Sequence, residues 1–325
     1  MKNYFLVMAM VLFLCIGCKD ESKKIREVSD SETTENVQVV GNYVSEDYSK
    51  RNEGYDWVAV LVTEKENDHL HIAIRSRADK KKPTCTFDAI AQKVNDTTYQ
   101  TVMDGKPVVF EFTNSKIRIT TKTEEDEGFL QFYCSGGASI AGSYQELNEA
   151  IDQSQMDKTK FNKVLQLQDV GFNVSSIKQD GKNTLTIFTF GLEECEYNET
   201  FNIDGEEVIN AEVEDLNADG SPELFVYTQS VGSCSYGKVY AFSVNDKKSM
   251  SKVYFQPTAE NTKINKGYMG HDEFSLVENT LVQRFPIYTA GDINTEPTGK
   301  TRQISYKLVE GEAVRKLEVD NIAEY

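Results

Sequence analysis

From Gly41 to Leu147, apolar and polar side chains alternate with a period of two, the signature of half-buried β-strands. The pattern is clear in Trp57-Val58-Ala59-Val60-Leu61-Val62, Leu70-His71-Ile72-Ala73-Ile74, Val108-Val109-Phe110-Glu111-Phe112 and Ile117-Arg118-Ile119. Asn-Asp, Asp-Gly and Asn-Ser pairs punctuate these runs, as antiparallel hairpins require. Seven or eight strands in about 105 residues predict a small antiparallel β-barrel or sandwich over residues 39–147. Similar turns at its two ends, Gly41-Asn42-Tyr43 and Gly142-Ser143-Tyr144, would lie side by side where a barrel closes.

Residues 148–160 are polar and read as a linker, with Leu147, Ile151 and Met156 spaced for one helix face. Alternation resumes at Val170, Phe172 and Val174 and continues through Leu185-Thr186-Ile187-Phe188, Leu224-Phe225-Val226-Tyr227 and Val239-Tyr240-Ala241-Phe242. Residues 161–325 are therefore a second β-domain, and the fold class is all-β.

The N-terminus has a different grammar. Lys2 precedes a 13-residue apolar run, Tyr4 to Ile16, too short to cross a bilayer core. Residues 1–17 read as an export signal. Leu14-Cys15-Ile16-Gly17-Cys18 resembles the lipobox of bacterial lipoproteins, with Cys15 standing where leucine is usual. That resemblance implies diacylglycerol on Cys18, attachment to a membrane, and an outer-membrane place in the bacterial cell envelope, facing the periplasm or the surface. An ordinary secretory signal is the plainer alternative. Lys19-Asp20-Glu21 resembles the surface-export tag of some bacterial lipoproteins, and residues 18–38 read as a polar, disordered tether.

Charge limits the partners. The chain carries 35 basic and 52 acidic residues, a net charge of −17, which argues against nucleic acid. It suits a cationic partner. Three histidines, His69, His71 and His271, leave little for histidine-based metal or triad chemistry. His69 and His71 share a strand face but lack an obvious third ligand.

With Cys18 set aside, Cys85, Cys134, Cys195 and Cys234 remain, in a compartment that permits disulfides. Three pairings are open; chain order favours Cys85–Cys134 and Cys195–Cys234. No histidine lies close in sequence to any of the four, so structural roles are expected rather than a reactive thiol.

Three features of the second half carry chemistry. Asp215-Leu216-Asn217-Ala218-Asp219-Gly220-Ser221-Pro222-Glu223 places oxygen side chains at alternate positions before a glycine. Asp215, Asn217, Asp219 and Glu223 are thus candidate calcium ligands, although Val226 stands where an EF-hand has its bidentate glutamate. An Asx-rich turn, its side chains bonded to their own backbone, is the alternative. From Gly191 to Gly237 there are twelve acidic residues and no lysine or arginine. That stretch leads into Ser230-Val231-Gly232-Ser233-Cys234-Ser235-Tyr236-Gly237, a loop of hydroxyls and glycines between apolar strands. A serine nucleophile there would need a base, for which His271 is the one candidate in this half, and no G-x-S-x-G elbow occurs. No catalytic set can be assembled, so the expectation is a binding protein rather than an enzyme, with no cofactor beyond the possible calcium.

The motif Asp215-Leu216-Asn217-Ala218-Asp219-Gly220 with Pro222-Glu223-Leu224, followed by Gly232-Ser233-Cys234-Ser235-Tyr236-Gly237, resembles the periplasmic inhibitor family of I-type (invertebrate) lysozyme. Arg284-Phe285-Pro286-Ile287-Tyr288, Gly291-Asp292 and Pro297-Thr298-Gly299-Lys300-Thr301-Arg302-Gln303-Ile304 extend the resemblance, which covers roughly residues 160–320. It implies a β-sandwich that presents a Ser-Gly-x-Tyr loop to the lysozyme cleft. Carried across, the serine is Ser233 and the tyrosine Tyr236, with Gly232 and Ser235 in the same loop. Cys234 stands in the glycine position, a departure that a disulfide to Cys195 would turn into rigidity. The implied partner is lysozyme, I-type above all, and the acidic stretch would speed approach of a cationic enzyme. The competing reading is a lipid-anchored, non-enzymatic binding module whose barrel holds a small apolar ligand or an envelope component.

Overall fold

The computed structural model describes residues 37–103, 105–233 and 235–325. The signal, Cys18 and nearly all of the tether lie outside the described residues. Residues 37–325 form one compact unit, all-β in class.

Its first part is a closed eight-stranded barrel: β1 (Gly41–Val44), β2 (Val58–Lys65), β3 (His69–Ser76), β4 (Thr86–Asn95), β5 (Thr98–Met103), β6 (Lys106–Thr113), β7 (Lys116–Thr121) and β8 (Gly142–Glu146). β1 pairs with β8 through Tyr43↔Glu146 and Val44↔Gln145, so the two similar terminal turns do meet at the closure. Asn67 and Asp68, both at φ near +60°, reverse the chain between β2 and β3, a conformation these side chains tolerate well. Inward positions alternate along every strand, and Val60, Ile72, Phe87, Phe110 and Ile119 are all buried. The barrel interior is filled by its own side chains, each contributing about 1.5–3 kcal/mol relative to exposure.

Cys85, just ahead of β4, is bonded to Cys134, which follows a 3-10 segment over Glu124–Tyr133. The sequence separation of 49 residues corresponds to about 4 kcal/mol in the chain-entropy account of loop closure.

Residues 148–160 do not form the helix that their spacing suggests. Asp152 accepts from the backbone N–H and hydroxyl of Ser154, and Asp157 does the same for Thr159. Such side-chain-to-backbone bonds compete with helix. Ile151 and Met156 instead pack on Val44, Tyr48, Trp57 and Ala59, a satellite core outside the barrel.

The second part has two sheets. β9 (Thr159–Leu167), β10 (Val170–Gln179), β11 (Lys182–Phe190) and β12 (Asn198–Asn202) form an antiparallel sheet of order β12-β11-β10-β9. β13 (Glu206–Glu214), β14 (Glu223–Ser230), β15 (Gly237–Asn245), β16 (Ser249–Phe255), β17 (Glu273–Val277), β18 (Thr280–Pro286), β19 (Thr301–Val309) and β20 (Lys316–Glu324) form the other, in the order β13-β14-β15-β16-β20-β19-β18-β17. β16 and β20 run parallel, through Tyr254↔Lys316 and Phe255↔Leu317. The large sheet curls until the Leu276 N–H on β17 donates to Glu212 on β13 at 2.9 Å, so it is nearly closed.

The run Leu224-Phe225-Val226-Tyr227 explains how the layers join. β14 is buried on both faces, a place that suits a continuous apolar run. Leu224 and Val226 face Phe172, Leu185 and Ile187 of the small sheet, whereas Phe225 and Tyr227 face Phe285, Ile304 and Tyr306 within the curl.

Barrel and second part are fastened at Asp88. Its carboxylate takes both Arg75 Nη2 contacts, at 2.9 and 2.7 Å, and the Asn162 N–H of β9 at 2.8 Å. Arg75 Nε donates to the Thr159 carbonyl at 2.7 Å. His71 Nε2 lies 3.1 Å from the same carboxylate, so its partner is a buried aspartate.

Candidate functional site

The hydroxyl loop joins β14 to β15, and its braces are far away in sequence. The Ser230 N–H donates to the Tyr236 carbonyl at 2.9 Å, and the Ser230 hydroxyl accepts from the Tyr236 N–H at 2.8 Å. The Val231 N–H donates to the Gly205 carbonyl, and the His271 N–H to the Ser235 carbonyl. Ser235 is held at φ 41°, a left-handed backbone costly for a serine without such bracing. Asn294 Nδ2 donates to the Ser233 carbonyl. The Gly237 N–H donates to Asp272 at 2.8 Å, and a Cβ at Gly237 would stand 2.6 Å from the Asp272 Cβ. Only glycine lets the strand start that close.

Asp272 is buried, and it also accepts from the Tyr268 hydroxyl at 2.6 Å and from Gln283 Nε2. Burial raises its carboxyl above the usual range, against the pull of those donors. Tyr268 in turn meets the Tyr236 ring edge-on at 5.7 Å between centroids. Behind Asn294, Asp292 gathers the N–H groups of Thr298 and Thr289 together with both hydroxyls, which hold its carboxyl down to about 2. The two sequence blocks around Gly291-Asp292 and Pro297-Thr298 thus shape a second loop that supports the first.

Ser233, Gly232 and Tyr236 are exposed, Ser235 is half-buried, and Tyr236 retains 43% of its surface. Cys234 lies outside the described residues. His271 Nε2 is 3.3 Å from Asn294 Oδ1, and among the described residues no hydrogen bond joins its ring to a serine hydroxyl. Asp272, Asn294 and Tyr268 brace the loop, and sequence reasoning missed them. Asp292 lay in plain view, but its role emerges only from the fold.

The expected Cys195–Cys234 disulfide is corrected: Cys195 is an exposed free thiol. Its N–H donates to the Lys248 carbonyl, at the turn between β15 and β16. The loop is at the other end of β15, about 26 Å away at roughly 3.3 Å per residue. Rigidity comes from hydrogen bonds instead.

The calcium candidates are already satisfied. Asp215 accepts from the N–H groups of Asp219 and Gly220 and from Gln168 Nε2, and Asp219 accepts from Ser221 N–H, Asn217 Nδ2 and Arg315. Arg315 lies against Asp219 and Glu223, so part of the loop's negative charge is met within the chain. Among the described residues no cluster of three or more metal-ligating side chains stands out.

Glu223, fully buried, accepts from the Ser243 hydroxyl at 2.7 Å and the Leu216 N–H at 2.9 Å, with Arg315 at 3.8 Å. Burial nevertheless pushes its carboxyl up to about 7. A raised pKa favours the neutral form in the fold, so its stabilisation is full below the ordinary value and lost as pH rises through 7. Glu223→Gln is therefore expected to gain about 2–3 kcal/mol at pH 8 and almost nothing at pH 4, measured by urea unfolding at both values.

The acidic stretch is dispersed by folding. Glu194, Glu199, Glu206 and Glu207 meet Lys248, Lys252, Lys238 and Lys178, at 3.5, 3.1, 3.0 and 3.9 Å. Only Glu206 and Glu207 stand opposite the loop end of β14, in register with Ser230 and Gln229.

This is an all-β scaffold that presents a braced, solvent-exposed loop of hydroxyls and one tyrosine. Residues 181–265, from β11 to just beyond β16, match the family model described as periplasmic lysozyme inhibitor of I-type lysozyme. Among curated proteins none matches the chain. Among solved structures the chain is similar to alpha-L-arabinofuranosidase from Lactobacillus brevis, at 13% identity over 78% of this chain and 92% of that one. Its TM-score of 0.29 is too low to support an argument.

Proposed function

We propose that this is a lipid-anchored cell-envelope protein that inhibits lysozyme, I-type above all, by inserting the 230–237 loop into the active-site cleft. The observation that carries the reading is the family match, whose segment contains the whole loop and both flanking strands. Lysozyme cleaves glycosidic bonds with paired carboxyl groups. The Ser233 and Tyr236 hydroxyls are suited to donate to those groups while the loop excludes substrate. Bracing by Asp272, Asn294 and Ser230 supports this role, because a loop held in shape loses little entropy on binding. Cys18 would hold the protein at the membrane, and each buried acyl methylene adds about 0.8 kcal/mol to that attachment.

The test is peptidoglycan lysis by I-type, c-type and g-type lysozymes with and without the purified mature protein. Protection against the I-type enzyme at micromolar concentration is the expected result. Lysis at full rate with all three would end the inhibitor reading.

A further inference from the structure

The small sheet has one face in the core and one face open. Phe172, Val174, Leu185 and Ile187 point inward. Strand alternation places Asn162, Val164, Asn173, Ser175, Phe188 and Phe190 on the opposite side. Register brings them into rows: Asn173 lies between Val164 and Phe188, and Ser175 beside Asn162. The barrel supplies the facing wall through Thr84, Thr86, Phe132 and Tyr133, next to the Cys85–Cys134 bond. Together they enclose a cleft of about 410 Å³.

Three properties of this cleft point to one ligand chemistry. First, in a chain that is 27% charged, its fourteen lining residues would carry about four charges by composition, and they carry none. Second, its polar groups are hydroxyls and amides with unused capacity. Among the described contacts, the side chains of Thr84, Asn162, Asn173 and Ser175 make no hydrogen bond to protein. Third, large apolar rings stay in solvent, with Phe132 60% and Phe188 41% exposed. Phe190 lies across Gly171, where a Cβ would come within 1.9 Å of its ring. A glycine under an aromatic side chain lets that ring lie along the sheet as a platform.

We infer that this cleft binds an uncharged oligosaccharide. Apolar ring faces take up the C–H faces of sugar rings, and neutral donors and acceptors meet hydroxyls without the desolvation cost of a charge. The Asn162 N–H on Asp88 ties the small sheet to the barrel and the disulfide braces the barrel wall, so the cleft is formed before a ligand arrives. The inference stands apart from the loop: neither needs the other.

The experiment is calorimetric titration of the purified protein with chitotetraose, cellotetraose and maltotetraose, with polygalacturonate as a charged control. Saturable binding of at least one neutral probe is expected, weakened at least about tenfold by Phe188→Ala and by Asn173→Ala, with thermal unfolding and lysozyme inhibition unchanged. Phe188 is exposed, and the half-buried Asn173 makes no side-chain hydrogen bond among the described contacts, so folding is not at stake. The inference is overturned if no neutral probe binds, if both variants bind as well as the parent, or if polygalacturonate binds equally. It is also overturned if the protein is a dimer in solution that Phe188→Ala dissociates, because this face would then be a self-interface.

Discussion

Inhibition of I-type lysozyme by the Ser233→Ala, Tyr236→Ala double variant is expected to be about a hundredfold weaker than that of the parent. Each hydroxyl would donate to a charged carboxyl group, an interaction of about 1.5–3 kcal/mol, and tyrosine is enriched among the residues that dominate interfaces. Neither side chain contributes to a core, so the melting temperature should stay where it is. Asn294→Ala is the informative companion, because it leaves both hydroxyls and removes a brace. Its smaller loss, about fivefold, would reflect loop ordering rather than contact. Inhibition curves against one lysozyme preparation decide the matter. An unchanged inhibition constant in the double variant would remove the loop from the mechanism.

Replacing Asp88 by alanine is expected to cost about 3–5 kcal/mol of stability, the usual consequence of stranding one member of a buried ion pair. Arg75 and Asp88 are both buried, and the guanidinium has no other carboxylate among the described contacts. The Asn162 N–H would lose its acceptor as well. Guanidinium chloride unfolding measures the loss. The Arg75→Met, Asp88→Leu double variant should lie well above the single variant, since removing both charges leaves none uncompensated. A single variant within 1 kcal/mol of the parent would mean that water reaches Arg75.

Much of this architecture was legible in the chain. Period-two alternation predicts the strands because only a sheet can bury every second residue, whereas the burial of β14 on both faces emerges only from the packing of its two neighbouring layers. The Cys85–Cys134 pairing follows from chain order because both cysteines belong to one closed barrel. The same rule fails for Cys195, since it ignores how long β15 is. Residues 148–160 mislead because their helical spacing is opposed by Asp152 and Asp157, whose local bonds only the structure reveals. The acidic stretch looks like a single charged face because its lysine partners come from elsewhere in the sequence. The loop itself stood out in the sequence. Asp272 and Asn294 did not, for a brace is defined by what it touches.

β20 gives the large sheet an unusual dependence. Residues 316–324 lie in its middle, between β16 and β19, rather than at an edge. β20 therefore supplies the backbone pairing that makes one sheet of β13–β16 and β17–β19, and sequence-distant pairing of this kind makes for slow assembly. Until β20 pairs, β16 and β19 each present an open hydrogen-bonding edge, the kind that invites mispairing with another chain. Synthesis of the loop and its braces thus precedes completion of the sheet they belong to, and removal of residues 316–324 would take out the strand that β16 and β19 both pair with.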